Sequence, residues 1–139
     1  MLCLNIFLRS KAYSHLSFSK ISIDEAKKEI EKTDRILRDI YRDAGIGDSR
    51  RPRLFRFPYG DSGLCVTKRH GKLIIRGSLA KKLEIRKFLE EMGYKIYGWD
   101  IDTEDWRYYR GKPLRKILET LKKVRSGDTI LMHEKPITC

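Results

Sequence analysis

The chain has 139 residues, 31 Lys and Arg against 19 Asp and Glu, and a formal net charge of +12. Its length suits one domain with a real core, and its 40% hydrophobic and 36% charged residues fit a folded chain without repeats or low-complexity stretches. The positive charge would suit nucleic acid or an anionic surface, but it is spread along the chain with no long basic block and no aromatic interleaving. No nucleic acid partner is therefore expected, and attraction to an anionic polymer is the quieter reading.

The run from Met1 to Leu8 is apolar but short. It lacks a basic region before it and a small-residue cleavage site after it, so it reads as a half-buried strand rather than a signal peptide or a transmembrane span. Ser22 with Glu25 three residues on forms a capping box. Ile23, Ala26, Ile30, Leu37 and Ile40 then recur at helical spacing, predicting an amphipathic helix over Ile23–Ile40 that Gly45 and Gly47 end. Arg53–Phe57 reads as a strand. Cys65–Ile75 reads as two short extended pieces around a turn at Arg69-His70-Gly71-Lys72.

Ser78 can cap a second helix with Leu79, Leu83, Leu89 and Met92 inward, closed by Gly93. Lys95–Asp100 is the next predicted strand. Pro113 suits the first turn of a third helix whose inner face is Leu114, Ile117, Leu118 and Leu121. Gly127-Asp128 turns into a strand over Thr129–Met132. Strands alternating with helices imply βα units and a parallel sheet. Cys3, Cys65 and Cys139 are odd in number with no CxxC, which argues against a disulfide framework or a zinc cluster.

Three stretches carry chemistry. In Leu54-Phe55-Arg56-Phe57-Pro58-Tyr59-Gly60-Asp61-Ser62-Gly63 an apolar pair meets an arginine and then a proline–aromatic–glycine corner. Pro58 pushes Phe57 to an extended shape, and Gly60 permits a sharp turn that exposes backbone amides. Tyr97–Trp106 and Gly127–Glu134 also run from apolar into titratable residues. Three strands ending in Arg, in Asp-Trp and in His look like one site at the C-terminal edge of a parallel sheet, where α/β folds bind ligands.

Arg56-Phe57-Pro58-Tyr59-Gly60 resembles the third motif of the polysaccharide deacetylases, the family-four carbohydrate esterases. Asp102-Thr103-Glu104-Asp105-Trp106 resembles their fourth motif, Leu131-Met132-His133 their fifth, and Tyr13–Lys20 their second with its flank. Order and spacing agree from about Lys11 to Thr138. The resemblance implies an α/β fold: a partial, irregular (β/α) barrel lacking its first strands, with residues 1–139 as one partial domain. Two departures accompany it. Lys11 stands where the second motif has its first metal-binding histidine, leaving His15 as the second, and the aspartate motif that supplies the base is expected before Met1.

Deacetylation needs an activated water, an oxyanion site and an acid for the leaving group. By resemblance His133 is the acid, Asp105 orients it, and Tyr59 offers a backbone N–H to the oxyanion. Tyr59 and Trp106 supply flat walls for a sugar, with Leu131 beside the substrate. Arg56 pairs with the family's catalytic aspartate, and His15 is a ligand to a divalent metal such as zinc. One imidazole does not hold zinc, which takes three or four protein ligands, so weak or absent metal is expected. The bland alternatives are a strand-end histidine, a core tryptophan, and a buried, unpaired Arg56 cation; His70 sits in a turn and is read as no ligand.

Three functions stay open: an impaired hydrolase of an acetylated polysaccharide, a non-catalytic carbohydrate-binding remnant, and a basic nucleic-acid-binding module. A part-barrel is also expected to self-associate through exposed strand edges.

Overall fold

A computed structural model describes residues 12–48, 53–105 and 114–133. The predicted strand at residues 1–8, Lys11, Trp106 and Pro113 lie outside the described residues. The chain divides into two units, Met1–Tyr97 and Gly98–Cys139.

The first unit begins with helix α1, Ile23–Asp43. Its capping box is formed: the Glu25 amide donates to Ser22 Oγ at 3.1 Å, and the Ser22 amide donates to Glu25 Oε2 at 2.7 Å. Ala44 is the C-cap, and Gly45 follows with φ +70°. Ala26 and Ile30 are fully buried, but Ile40 is exposed and Leu37 half-buried, so the inward stripe is shorter than its periodicity predicted. The stripe continues instead through Asp34, which is buried, accepts from Tyr94 Oη at 2.6 Å and lies 2.9 Å from the Arg38 guanidinium. A buried carboxylate is tolerated where donors surround it.

Strand β1, Leu54–Phe55, pairs in parallel with β4, Lys95–Ile96. Between them lie the antiparallel hairpin β2, Leu64–Arg69, with β3, Lys72–Gly77, and helix α2, Leu79–Glu91. The hairpin turn is His70-Gly71, both at positive φ, which matches the twist of the strands it joins. Ser78 caps α2 as expected, accepting from the Lys81 amide at 3.1 Å. The predicted inner face of α2 is corrected. Leu79 and Leu83 are more than half exposed, whereas Ile85 and Leu89 are fully buried, with Phe88 and Met92 packed beside them. The helix carries two apolar stripes, and only the second meets the core.

That core is aromatic. Phe18, Phe55, Phe57 and Tyr94 form edge and tilted contacts at centroid separations of 5.3–6.3 Å, with Ala12, Ala26, Ile30, Ile85 and Leu89 around them.

The second unit pairs β5, Ile101–Asp102, in parallel with β6, Ile130–Leu131, and includes helix α3, Leu114–Leu121. Of the inward set predicted for α3, Ile117 is buried, Leu121 is half-buried, and Leu114 and Leu118 are about half exposed. The strand predicted over Lys95–Asp100 is corrected: pairing to β1 covers Lys95 and Ile96, and pairing to β6 begins at Ile101. Parallel pairing, expected from strands alternating with helices, is present in β1–β4 and in β5–β6, as two separate two-stranded sheets, and no closed barrel is seen among the described residues.

Candidate functional site

The third-motif segment forms the predicted corner. Phe57 is extended at φ −63° and ψ 134°, and Pro58–Gly60 is one turn of 3-10 helix. Its internal hydrogen bonds use the amides of Gly60 and Asp61, donating to Phe57 O at 3.1 Å and Pro58 O at 2.9 Å, and not the amide of Tyr59. Tyr59 itself sits at φ 56°, and the residue is 73% exposed. An aromatic residue in the left-handed region is strained by about 1–2 kcal/mol.

His15 lies against this corner, its ring edge-on to Tyr59 at 4.8 Å, and is likewise at positive φ. Two anchors hold its loop. Ser14 donates through its amide and hydroxyl to the Glu29 carboxylate of α1. Ser17 Oγ, Ser19 Oγ at 2.6 Å and the Ser19 amide at 3.0 Å all donate to Asp61 Oδ2, while the Gly63 amide donates to Asp61 Oδ1 at 3.0 Å. Burial would raise the Asp61 pKa. The Ser17 and Ser19 hydroxyls with the Ser19 and Gly63 amides outweigh it and hold the carboxyl below its ordinary range. Asp61 thus ties the His15 loop to the Tyr59 corner. The Asp-Ser-Gly sequence signals its bond to Gly63, a turn two residues on, but nothing in the sequence signals its partners more than forty residues away.

Arg56 is half-buried and engaged by a partner, so the expected buried, unpaired cation is not what the chain contains.

In the second unit, Asp105 and His133 follow the C-terminal ends of the adjacent parallel strands β5 and β6. Asp105 is fully buried and meets His133 with both oxygens. Oδ2 accepts from the His133 amide at 2.6 Å, and Oδ1 lies 2.8 Å from Nδ1. Desolvation pushes the Asp105 pKa up. The His133 side chain, backbone amide and charge, together with the Thr103 hydroxyl, outweigh this and leave it lowered. An ionised carboxylate can only accept, so Nδ1 carries the proton and the lone pair of the neutral ring lies on Nε2. The side chain of His133 is 35% exposed.

Leu131 is buried, and its carbonyl accepts from Thr103 Oγ1 at 2.9 Å and the Thr103 amide at 3.3 Å. Glu104 is at φ 51° with its amide on Asp102 Oδ1 at 2.8 Å. Of the four non-glycine residues at positive φ among the described residues, three, His15, Tyr59 and Glu104, sit in the motif loops. Strain of this kind gathers at functional sites.

His70 occupies its exposed turn as read. Among the described residues no group of three or more His, Cys, Asp or Glu could hold a metal. His15 belongs to no such group among the described residues, and one imidazole does not by itself fit zinc, which takes three or four protein ligands. No helix among the described residues is long and apolar enough to cross a membrane.

No protein-family model matches the chain. It is 28% identical over 124 residues to a peptidoglycan-N-acetylglucosamine deacetylase of Bacillus cereus, which covers 89% of this chain and 35% of the relative. In fold it is similar to a family 4 carbohydrate esterase from Streptomyces lividans in complex with acetate, with a TM-score of 0.62, 23% identity, and coverage of 94% of this chain and 53% of that one. A mutant of a pseudoenzyme of the same family gives a TM-score of 0.61, 22% identity, and coverage of 93% and 37%. The chain therefore spans about a third to a half of the length of the proteins it matches.

Proposed function

We propose that the chain is part of an irregular (β/α) barrel hydrolase of the polysaccharide deacetylases, carbohydrate esterase family four, acting on N-acetyl or O-acetyl groups of a polysaccharide, a reading supported by its likeness to the Bacillus deacetylase and to the Streptomyces esterase. Peptidoglycan and chitin oligomers are the favoured substrates, since the curated relative is a peptidoglycan-N-acetylglucosamine deacetylase. The observation that carries the reading is the clamp of Asp105 on His133 through both carboxylate oxygens.

The clamp fixes ring orientation and tautomer together, so that a protonated His133 donates from Nε2 to a leaving amine or alkoxide. Asp105, already ionised, stabilises the imidazolium before that transfer. Tyr59 supplies an amide outside the two hydrogen bonds that close its turn, suited to developing negative charge on an acetyl oxygen. Its exposed ring is a platform for the apolar face of a sugar. In metal-dependent members a bound divalent ion would bring the pKa of water down to about 7. The described residues do not fit such an ion.

The acid half of the chemistry is thus furnished, and turnover by this chain alone is impaired. Lys11, at the first ligand position of the second motif, favours the second reading, a carbohydrate-binding remnant. Acetate release from N-acetylglucosamine oligomers, measured beside oligomer binding, separates the two. We expect binding with negligible release by this chain alone, with or without added zinc. Metal-dependent release would show a competent enzyme, and robust release insensitive to chelator would show that the site is misplaced.

A further inference from the structure

The β2–β3 hairpin has a composition that the proposed chemistry does not use. Strand pairing sets Val66 opposite Ile75 and Lys68 opposite Leu73 on one face. Val66, Leu73 and Ile75 are 54%, 65% and 61% exposed. The charged residues of the hairpin are Lys68, Arg69, Lys72 and Arg76, all exposed, with no acidic residue from Leu64 to Gly77. Adjacent exposed aliphatic side chains mark an interaction surface. The base of the hairpin is firmly held: the Ser78 amide donates to Gly63 O at 3.2 Å, and Gly77 packs so closely on Gly63 that a Cβ there would lie 1.9 Å from its carbonyl oxygen.

We propose that this hairpin docks on an anionic phospholipid bilayer, with Val66, Leu73 and Ile75 entering the interfacial layer and the four cations meeting headgroup phosphates. The stems of Lys and Arg lie along apolar surface while their heads reach the phosphates. Interfacial binding grows with buried apolar area and with attraction to anionic lipid together, and the hairpin offers both: Lys68 shares the apolar face, and Arg69, Lys72 and Arg76 lie on the other side of a ribbon only two strands wide. A second copy is a poorer occupant, because it brings together two ribbons that each carry four cations and no acidic residue. A soluble polyanion would satisfy the cations and leave the aliphatic side chains in water. The proposal goes beyond the hydrolase reading and does not depend on it.

Co-sedimentation of the 139-residue chain with phosphatidylglycerol or phosphatidylcholine vesicles tests it. We expect partitioning onto the anionic vesicles and little onto the neutral ones. Leu73→Asp with Ile75→Asp should lower partitioning at least about tenfold, and Lys68→Glu with Lys72→Glu should do the same. Lys122→Glu with Lys123→Glu, the same charge change in the other unit, should cost less than about twofold, since screening confines the attraction to cations at the surface. Circular dichroism confirms that the variants fold. Unchanged partitioning of the Leu73/Ile75 variant would overturn the proposal in favour of a soluble polyanion. An equal loss in the Lys122/Lys123 variant would overturn it in favour of net charge alone. An oligomer that the aspartates dissolve, without vesicle binding by the parent chain, would overturn it in favour of a second copy.

Discussion

Asp61 and Asp105 are buried carboxylates whose donors hold both pKa values below the ordinary range against the opposing effect of burial. A carboxyl with a depressed folded pKa binds fewer protons folded than unfolded, so stability rises with pH through that window. The stabilisation is complete above the unfolded pKa of about 3.9 and is lost as pH falls through the depressed folded values. Denaturant titrations should therefore give a plateau above about pH 5 and a fall below about pH 4, shallower in Asp61→Asn and Asp105→Asn. A fall that begins near neutrality would contradict this assignment. At this scale the contact of Asp105 with His133 could be anticipated in the sequence, because both stand at the spacing of a recognisable family. Asp61 was not legible as an anchor, since Ser17 and Ser19 reach it across more than forty residues. Glu29 was hidden for the same reason.

Capping chemistry was the most readable part of the elements. Ser22, Glu25 and Ser78 act within three residues of where they stand, so local sequence decides them. The buried faces of α2 and α3 were less readable, because each helix offers more apolar surface than the described core covers, and only tertiary packing selects Ile85 over Leu83 or Ile117 over Leu118. The hairpin gives a paired test. Gly77 is at φ +74° with Gly63 O where its Cβ would go, while Gly71 is at φ +78° with open space around it. Gly71→Ala should cost about 1–2 kcal/mol for the left-handed backbone alone. Gly77→Ala adds a backbone clash, so its unfolding midpoint should lie well below that of Gly71→Ala. Equal midpoints would show that the hairpin base is not packed as described.

For the molecule, the relevant quantity is how much strand edge the described residues leave unpaired. The β1–β4, β2–β3 and β5–β6 sheets each have two strands, and isolated two-stranded sheets are marginal in water. Open edges invite pairing with other chains. Sedimentation velocity should show association that grows with concentration, and a sharp, concentration-independent unfolding transition of a monomer would count against it. The parallel pairing could be read from strands alternating with helices, whereas the antiparallel hairpin between β1 and α2 appeared in the sequence only as a turn between short extended pieces. The central claim, that His133 held by Asp105 presents Nε2 to an acetylated sugar, is tested most directly by nitrogen NMR of the histidine side chains. The account predicts a His133 ring protonated at Nδ1 when neutral, whose Nε2 resonance moves when N-acetylglucosamine oligomers are added, and loses both properties in Asp105→Ala. A His133 ring protonated at Nε2 when neutral, or a resonance that ignores the oligomers, would contradict it.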